Sequence, residues 1–146
     1  MSNLEFKMQL SGSLEEYKKL LTNYTDYQQY LPHQIKSIKI LENSKNYTIT
    51  EEVLIFNSIK KTFTQKSKHI DLENEEIITE ILSGPISGTT MKIILKQDLE
   101  KTIVIIKINL KMKIQYKIFS PLINQSYKTF IMAILLKMQN KIMRYE

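Results

Sequence analysis

The sequence predicts an α+β fold in which a curved antiparallel sheet of about seven strands, in the order β-α-α-β6-α, wraps around one long C-terminal helix. Three observations predict it. From Ile106 the chain reads Ile-Lys-Ile-Asn-Leu-Lys-Met-Lys-Ile-Gln-Tyr-Lys, apolar at every even position through Tyr116 and polar at every odd one through Lys117. Strand side chains alternate between faces, so this reads as a half-buried strand with one dry face and one lysine-rich face. The period then changes: Ile123, Tyr127, Phe130, Ile131, Ile134, Leu135, Met138, Ile142 and Tyr145 recur at three- and four-residue steps, the spacing of one helix face. A helix from Pro121 to Arg144 would be roughly 36 Å long at 1.5 Å per residue. Finally, so long an apolar stripe needs a broad partner, and the region before it holds a run of strand patterns joined by short turns.

The elements follow in order. Leu4, Phe6, Met8 and Leu10 alternate with polar residues and form the dry face of a first strand, which Ser11-Gly12-Ser13 breaks. Ser13 and Glu16 form a capping box, opening a helix with Leu14, Tyr17, Leu20 and Leu21 on one side. A second short helical stretch, Asp26 to Leu31, presents Tyr27, Tyr30 and Leu31 and ends at Pro32, because the residue before proline is pushed out of the helical region. Strands are then predicted over 35–41, 47–56, 61–69, 77–82 and 91–99. Between the last two, Gly84-Pro85-Ile86-Ser87-Gly88 holds two of the three glycines, so the backbone there bends sharply or passes something closely. Glu100-Lys101 makes the hairpin into the long alternating strand. Ser120 is the predicted N-cap of the last helix, and Pro121 suits its first turn, where a missing N–H costs nothing.

Composition bounds the function. The 146 residues suffice for a single domain, 1–146, that buries its own core without staples. There is no cysteine, which excludes disulfides, thiolate metal sites and cysteine nucleophiles, and two histidines are too few for a histidine-rich metal cluster. No metal and no cofactor is expected. The N-terminus lacks a basic segment followed by an apolar run, so no signal peptide is expected, and a cytoplasmic location is. The longest apolar window, 129–136, falls far short of the ~20 residues that span a bilayer. The net charge of +6 comes almost wholly from lysine; Arg144 is the only arginine. Arginine is the residue favoured for bidentate phosphate and guanine contacts, so no specific nucleic-acid binding is expected.

With this element order in place, the chain resembles the START-like helix-grip superfamily, also called SRPBCC, whose members include polyketide cyclases, coenzyme Q-binding proteins and CoxG-type proteins. Three stretches carry the resemblance, which covers essentially the whole chain. Tyr27-Gln28-Gln29-Tyr30-Leu31-Pro32 is similar to the family's Y-x-x-[YF]-L-P segment, and Ser83-Gly84-Pro85-Ile86-Ser87-Gly88 to its G-P-[FI]-x-G turn. The third is the Phe119-Ser120-Pro121-Leu122 entry into the last helix. The resemblance implies a hydrophobic cavity between the last helix and the sheet that holds a lipid, sterol, quinone, isoprenoid or polyketide.

Candidate wall residues from the sheet are Phe63, Met91, Ile93, Ile108, Leu110 and Met112; from the last helix come Tyr127, Phe130, Ile131 and Ile134. Tyr27, Tyr30 and Leu31 would sit near one mouth, with the Gly84–Gly88 turn close by. The competing reading is that these side chains simply fill a core. Glu51, Gln65 and Thr79 are the polar candidates, but Ile49-Thr50-Glu51-Glu52-Val53-Leu54 fits either register, so the inward carboxylate stays open. No histidine has a serine or carboxylate at motif spacing, so no catalytic constellation is visible. Three function classes remain. The favoured one is binding or transport of an apolar small molecule by a monomer or homodimer, with transient membrane contact left open. The alternatives are a cyclase or dehydratase using the same cavity, which an inward carboxylate, histidine or tyrosine pair would favour, and a protein- or ribosome-binding module using a lysine face of Lys107, Lys111, Lys113 and Lys117.

Overall fold

The computed structural model describes residues 2–144. Seven strands form one antiparallel sheet: β1 (Ser2–Ser11), β2 (Ile35–Asn43), β3 (Thr48–Phe56), β4 (Lys61–Leu72), β5 (Glu76–Ile81), β6 (Thr90–Asp98) and β7 (Lys101–Leu110). The spatial order is β1-β7-β6-β5-β4-β3-β2, so six strands form a meander and β1 returns to pair with the last of them. Between β1 and β2 lie α1 (Leu14–Leu21), a single 3₁₀ turn at Tyr24–Asp26, and α2 (Tyr27–Tyr30). The long helix α3 (Ser120–Met143) follows β7 after a second 3₁₀ segment, Ile114–Phe119.

Local chemistry accounts for the element ends. The Ser13–Glu16 capping box is formed in both directions: Glu16 N donates to Ser13 Oγ at 3.3 Å, and Ser13 N donates to Glu16 Oε1 at 3.1 Å. Helix α3 starts one residue earlier than expected, so Phe119 occupies the cap position, with no side-chain hydrogen bond, and Pro121 sits in the first turn. Its buried stripe is Ile123, Tyr127, Ile131, Ile134, Leu135, Met138 and Ile142, as the three- and four-residue spacing requires. Removing each such side chain from water contributes about 1.5–3 kcal/mol. Tyr145, placed on the same stripe by the sequence pattern, lies outside the described residues.

One expectation is corrected. The alternation from Ile106 through Lys117 predicts a single strand, yet β7 stops at Leu110. Ile106, Ile108 and Leu110 are buried, whereas Ile114 and Ile118 are 82% and 83% exposed. The reason lies in the neighbours. Leu110 pairs with Ser2, the first residue of β1, and Asn109 pairs with Thr90, the first of β6, so both ladders of the described strands end there. A strand without a ladder partner leaves its polar groups unmet, and the chain coils into the 3₁₀ segment instead. The Gly84–Gly88 turn takes over the exit: Lys113 N donates to Pro85 O at 2.9 Å, and Thr89 Oγ1 donates to Lys111 O at 3.0 Å. Gly84 sits at φ +93°, and a Cβ there would stand 2.9 Å from Thr64 O, so the close approach expected of this turn is to β4.

Candidate functional site

The sheet does not touch α3 along its whole width. At the β1–β7 end it is tied down: Ser11 N donates to Gln139 Oε1 of α3 at 2.8 Å, and β1 and β7 contribute Leu10, Val104, Ile106, Ile108 and Leu110 to a solid core. Over β2–β6 the curved sheet stands away from the helix. The gap is a cavity of about 340 Å³, near the lower end of the ~300–1,000 Å³ usual for small-molecule sites.

Of the predicted wall residues, Tyr27, Leu31, Met91, Ile93, Tyr127, Phe130, Ile131 and Ile134 line this cavity. Five do not. Ile108 and Leu110 belong to β7, on the tied-down side, and are buried in the core. Met112 lies past the end of β7 and is only partly buried against that core. Phe63 points inward but stacks edge-on between Phe56 and Tyr116, each 5.5 Å away, beyond the cavity wall. Tyr30 lies behind the wall, facing a surface groove with Lys137, Asn140 and Lys141, because successive residues of the short helix α2 point to different sides. Among the lining residues, the exposed polar ones are Asn57 and Ser58 of the β3–β4 turn and Gln125 and Thr129 of α3, and the Ser58 and Ser126 hydroxyls meet at 3.2 Å between the two elements. The Gly84–Gly88 turn takes no part.

The inward carboxylate is Glu52, 8% exposed, while Glu51 turns outward and pairs with Lys39 at 3.4 Å. The β3–β4 hairpin sets this register: Phe56 pairs with Lys61, which places Leu54 opposite Phe63 and Glu52 opposite Gln65. Phe63 is the one large apolar side chain of β4 between Lys61 and His69, so its inward direction selects Glu52 once the hairpin register is known. His33 is an exposed loop residue that does not line the cavity.

Around Glu52 lies a polar network. Thr50 Oγ1 donates to Glu52 Oε2 at 2.6 Å, Gln65 Nε2 donates to Oε1 at 3.2 Å, and the Ser67 hydroxyl donates to the same Oε1. Thr50 Oγ1 also lies 2.9 Å from His69 Nε2, and His69 Nδ1 lies 2.9 Å from Thr79 Oγ1. A hydroxyl has one proton. With that of Thr50 spent on the Glu52 carboxylate, its oxygen accepts from His69 Nε2–H. Burial lowers the His69 pKa from 6.5 to about 4 and keeps the ring neutral, so Nδ1 carries no proton and accepts from Thr79 Oγ1. The imidazole stacks on the Tyr24 ring at 4.0 Å. The Tyr127 phenol is pushed up, first by desolvation and then by the Glu52 charge. Tyr27, pushed up chiefly by burial, donates its hydroxyl proton to Leu21 O. Among the described residues no cluster of histidine, aspartate or glutamate is arranged to hold a metal ion.

This architecture can be set beside solved structures. The Zhui aromatase/cyclase from a Streptomyces species superposes with a TM-score of 0.85 at 13% identity, over 98% of this chain and 94% of that one. A START superfamily protein from Mycobacterium smegmatis gives 0.78 at 10% identity, over 99% of both chains. The ginseng major latex-like protein 151 from Panax ginseng gives 0.75 at 12% identity, over 97% of both. The fold is the helix grip. No family model matches the chain, and no curated protein matches it in sequence. The helix-grip architecture expected from the sequence is therefore shared with START-like proteins end to end, at identities that speak for the fold alone.

The four lysines Lys107, Lys111, Lys113 and Lys117 do not share one strand. Only Lys107 lies in β7, opposite Lys92 and Glu5; Lys111 follows the strand, and Lys113 and Lys117 belong to the coiled exit from it. Among the described residues no helix is long and apolar enough to cross a membrane.

Proposed function

We propose that this chain binds or carries a hydrophobic small molecule in the cavity between α3 and strands β2–β6. One observation carries the reading: a space of about 340 Å³ stays unfilled between two elements whose facing side chains are mostly aliphatic and aromatic. Well-packed interiors leave few voids larger than a water molecule, so an opening of this size amid a close-packed core needs an occupant. Its volume suits one compact or single-chain apolar molecule. The lid of polar residues at Asn57, Ser58, Gln125 and Thr129 supplies an entrance.

The test is a thermal-shift screen with single-chain lipids, isoprenoid quinones and sterols, on the wild type and on Ile134→Trp, which fills the cavity from the helix side. A ligand at ~100 times its dissociation constant adds about 2.7 kcal/mol to stability. The wild type is expected to gain stability from at least one class and Ile134→Trp from none. Equal shifts in both proteins, or none in the wild type, would overturn the reading.

The buried Glu52–Thr50–His69–Thr79 chain favours a second reading. It is a carboxylate joined to an imidazole at the wall of an apolar cavity, the feature a cyclase or dehydratase would use to move protons. A polyketide-type substrate would then be turned over by the wild type and only bound by His69→Gln. A carrier would show no turnover in either protein.

A further inference from the structure

The protein is basic, with 21 lysines and arginines against 15 acidic residues, yet no lysine or arginine lines the cavity. Its lining holds one carboxylate, Glu52, which has no cation within ion-pair distance among the described residues. The groups that meet Glu52 are a hydroxyl from Thr50, a hydroxyl from Ser67 and the Gln65 amide, all neutral, and burial keeps His69 behind Thr50 neutral too. Three donors are the complement of a carboxylate anion, and a carboxylate offers about four acceptor positions. Oε1 takes two of the donors and Oε2 only one, so the vacant position is on Oε2. An anion that is hydrogen-bonded but lacks a counter-charge is costly to bury, and the cost is relieved when a cation enters beside it.

We propose that the cavity selects ligands whose apolar body ends in a protonated amine, with Glu52 as the counter-ion and Oε2 as the acceptor. The proposal rests on the binding reading above and adds the polar end of the ligand to it. The amine shields the Glu52 charge, while the body lies along Leu54, Ile93, Ile131 and Ile134. A carboxylate-ended ligand of the same length would bring two like charges together in a poorly solvated space. The positive surface makes this order diagnostic: adventitious adsorption to a basic protein favours anionic amphiphiles, the reverse of what the cavity would choose.

Isothermal titration of decylamine, decanol and decanoate at neutral pH, each below its aggregation threshold, separates the outcomes. The expected order is decylamine tightest, by about tenfold over decanol, with decanoate weakest. Glu52→Gln is expected to bring decylamine down to the level of decanol; the ranking on the wild type decides the matter even if that variant folds poorly. Decanol binding as tightly as decylamine, or decanoate binding more tightly than decanol, would overturn the amine proposal and leave the apolar cavity intact. An amine preference that persists in a folded Glu52→Gln protein would overturn the role of Glu52. Failure of all three probes to bind would overturn the proposal together with the binding reading beneath it.

Discussion

At the scale of single residues, the informative side chains are polar ones in an apolar wall. Glu52, Thr50, Gln65, Ser67 and Thr79 are buried, and together with His69 they satisfy one another. Such a network specifies one arrangement of the β3–β4–β5 region, because breaking any link strands a partner without water. His69 makes it sensitive to acid. Its folded pKa is lowered to about 4 by burial, against 6.5 for an exposed imidazole. As pH falls below 6.5, the unfolded chain takes up a proton that the folded one refuses, so stability declines until about pH 4 and that contribution then levels off. Urea unfolding of wild type and His69→Gln at several pH values across this window checks it. The wild type is expected to lose more stability than the variant between about pH 6.5 and pH 4, with parallel behaviour above about pH 7. Curves that stay parallel throughout would show that His69 is not held neutral in the fold.

At the scale of elements, the end of β7 shows what alternation can and cannot say. Ile106 and Ile114 stand in the same even-numbered register, yet one is 0% and the other 82% exposed. Truncating Ile106 to alanine is expected to cost about 2–5 kcal/mol, because it opens a cavity in the β7–α3 core. The same change at Ile114 should fall within about 0.5 kcal/mol of wild type. Denaturant midpoints of the two variants measure this directly, and equal losses would mean that the strand continues past Leu110. Helix α3 behaves differently: its buried stripe follows the sequence pattern, with Phe130 only half-buried, because a helix satisfies its own backbone and needs no paired neighbour to persist. A strand end is decided by a second and a third strand, and neither is written in its own residues.

At the scale of the whole molecule, charge and cavity are segregated. All 21 basic residues stay out of the cavity lining, and the lysines of the β7 region are divided between the sheet and the coiled exit. A dispersed basic surface attracts polyanions without shape recognition. Mixed RNA is therefore expected to bind weakly and to lose most of that affinity between low and physiological salt, in a filter-binding or anisotropy titration. Tight binding that survives physiological salt would reveal a nucleic-acid surface that the scattered lysines do not suggest.

By itself the sequence determined the element order, the long helix with its dry stripe, the Ser13–Glu16 cap and the grip of sheet on helix. Each of these is written in a local period or a short-range contact, and the pleat and the helical pitch translate it directly into a face. It also named eight of the side chains that line the cavity, among them Tyr27, Met91, Ile93, Tyr127 and Ile134, which sit on faces those periods identify. Only the tertiary structure decided where the cavity lies. Ile108 and Ile93 look alike in sequence, both inward on neighbouring strands, but the sheet closes on α3 at β7 and stands off it from β6 onward. Pairing across the β3–β4 hairpin likewise decided between Glu51 and Glu52, because two adjacent glutamates in a run that is apolar on both faces carry no parity of their own. The curvature of a sheet and the register of a hairpin belong to pairs of elements, so a pattern read along one strand does not contain them.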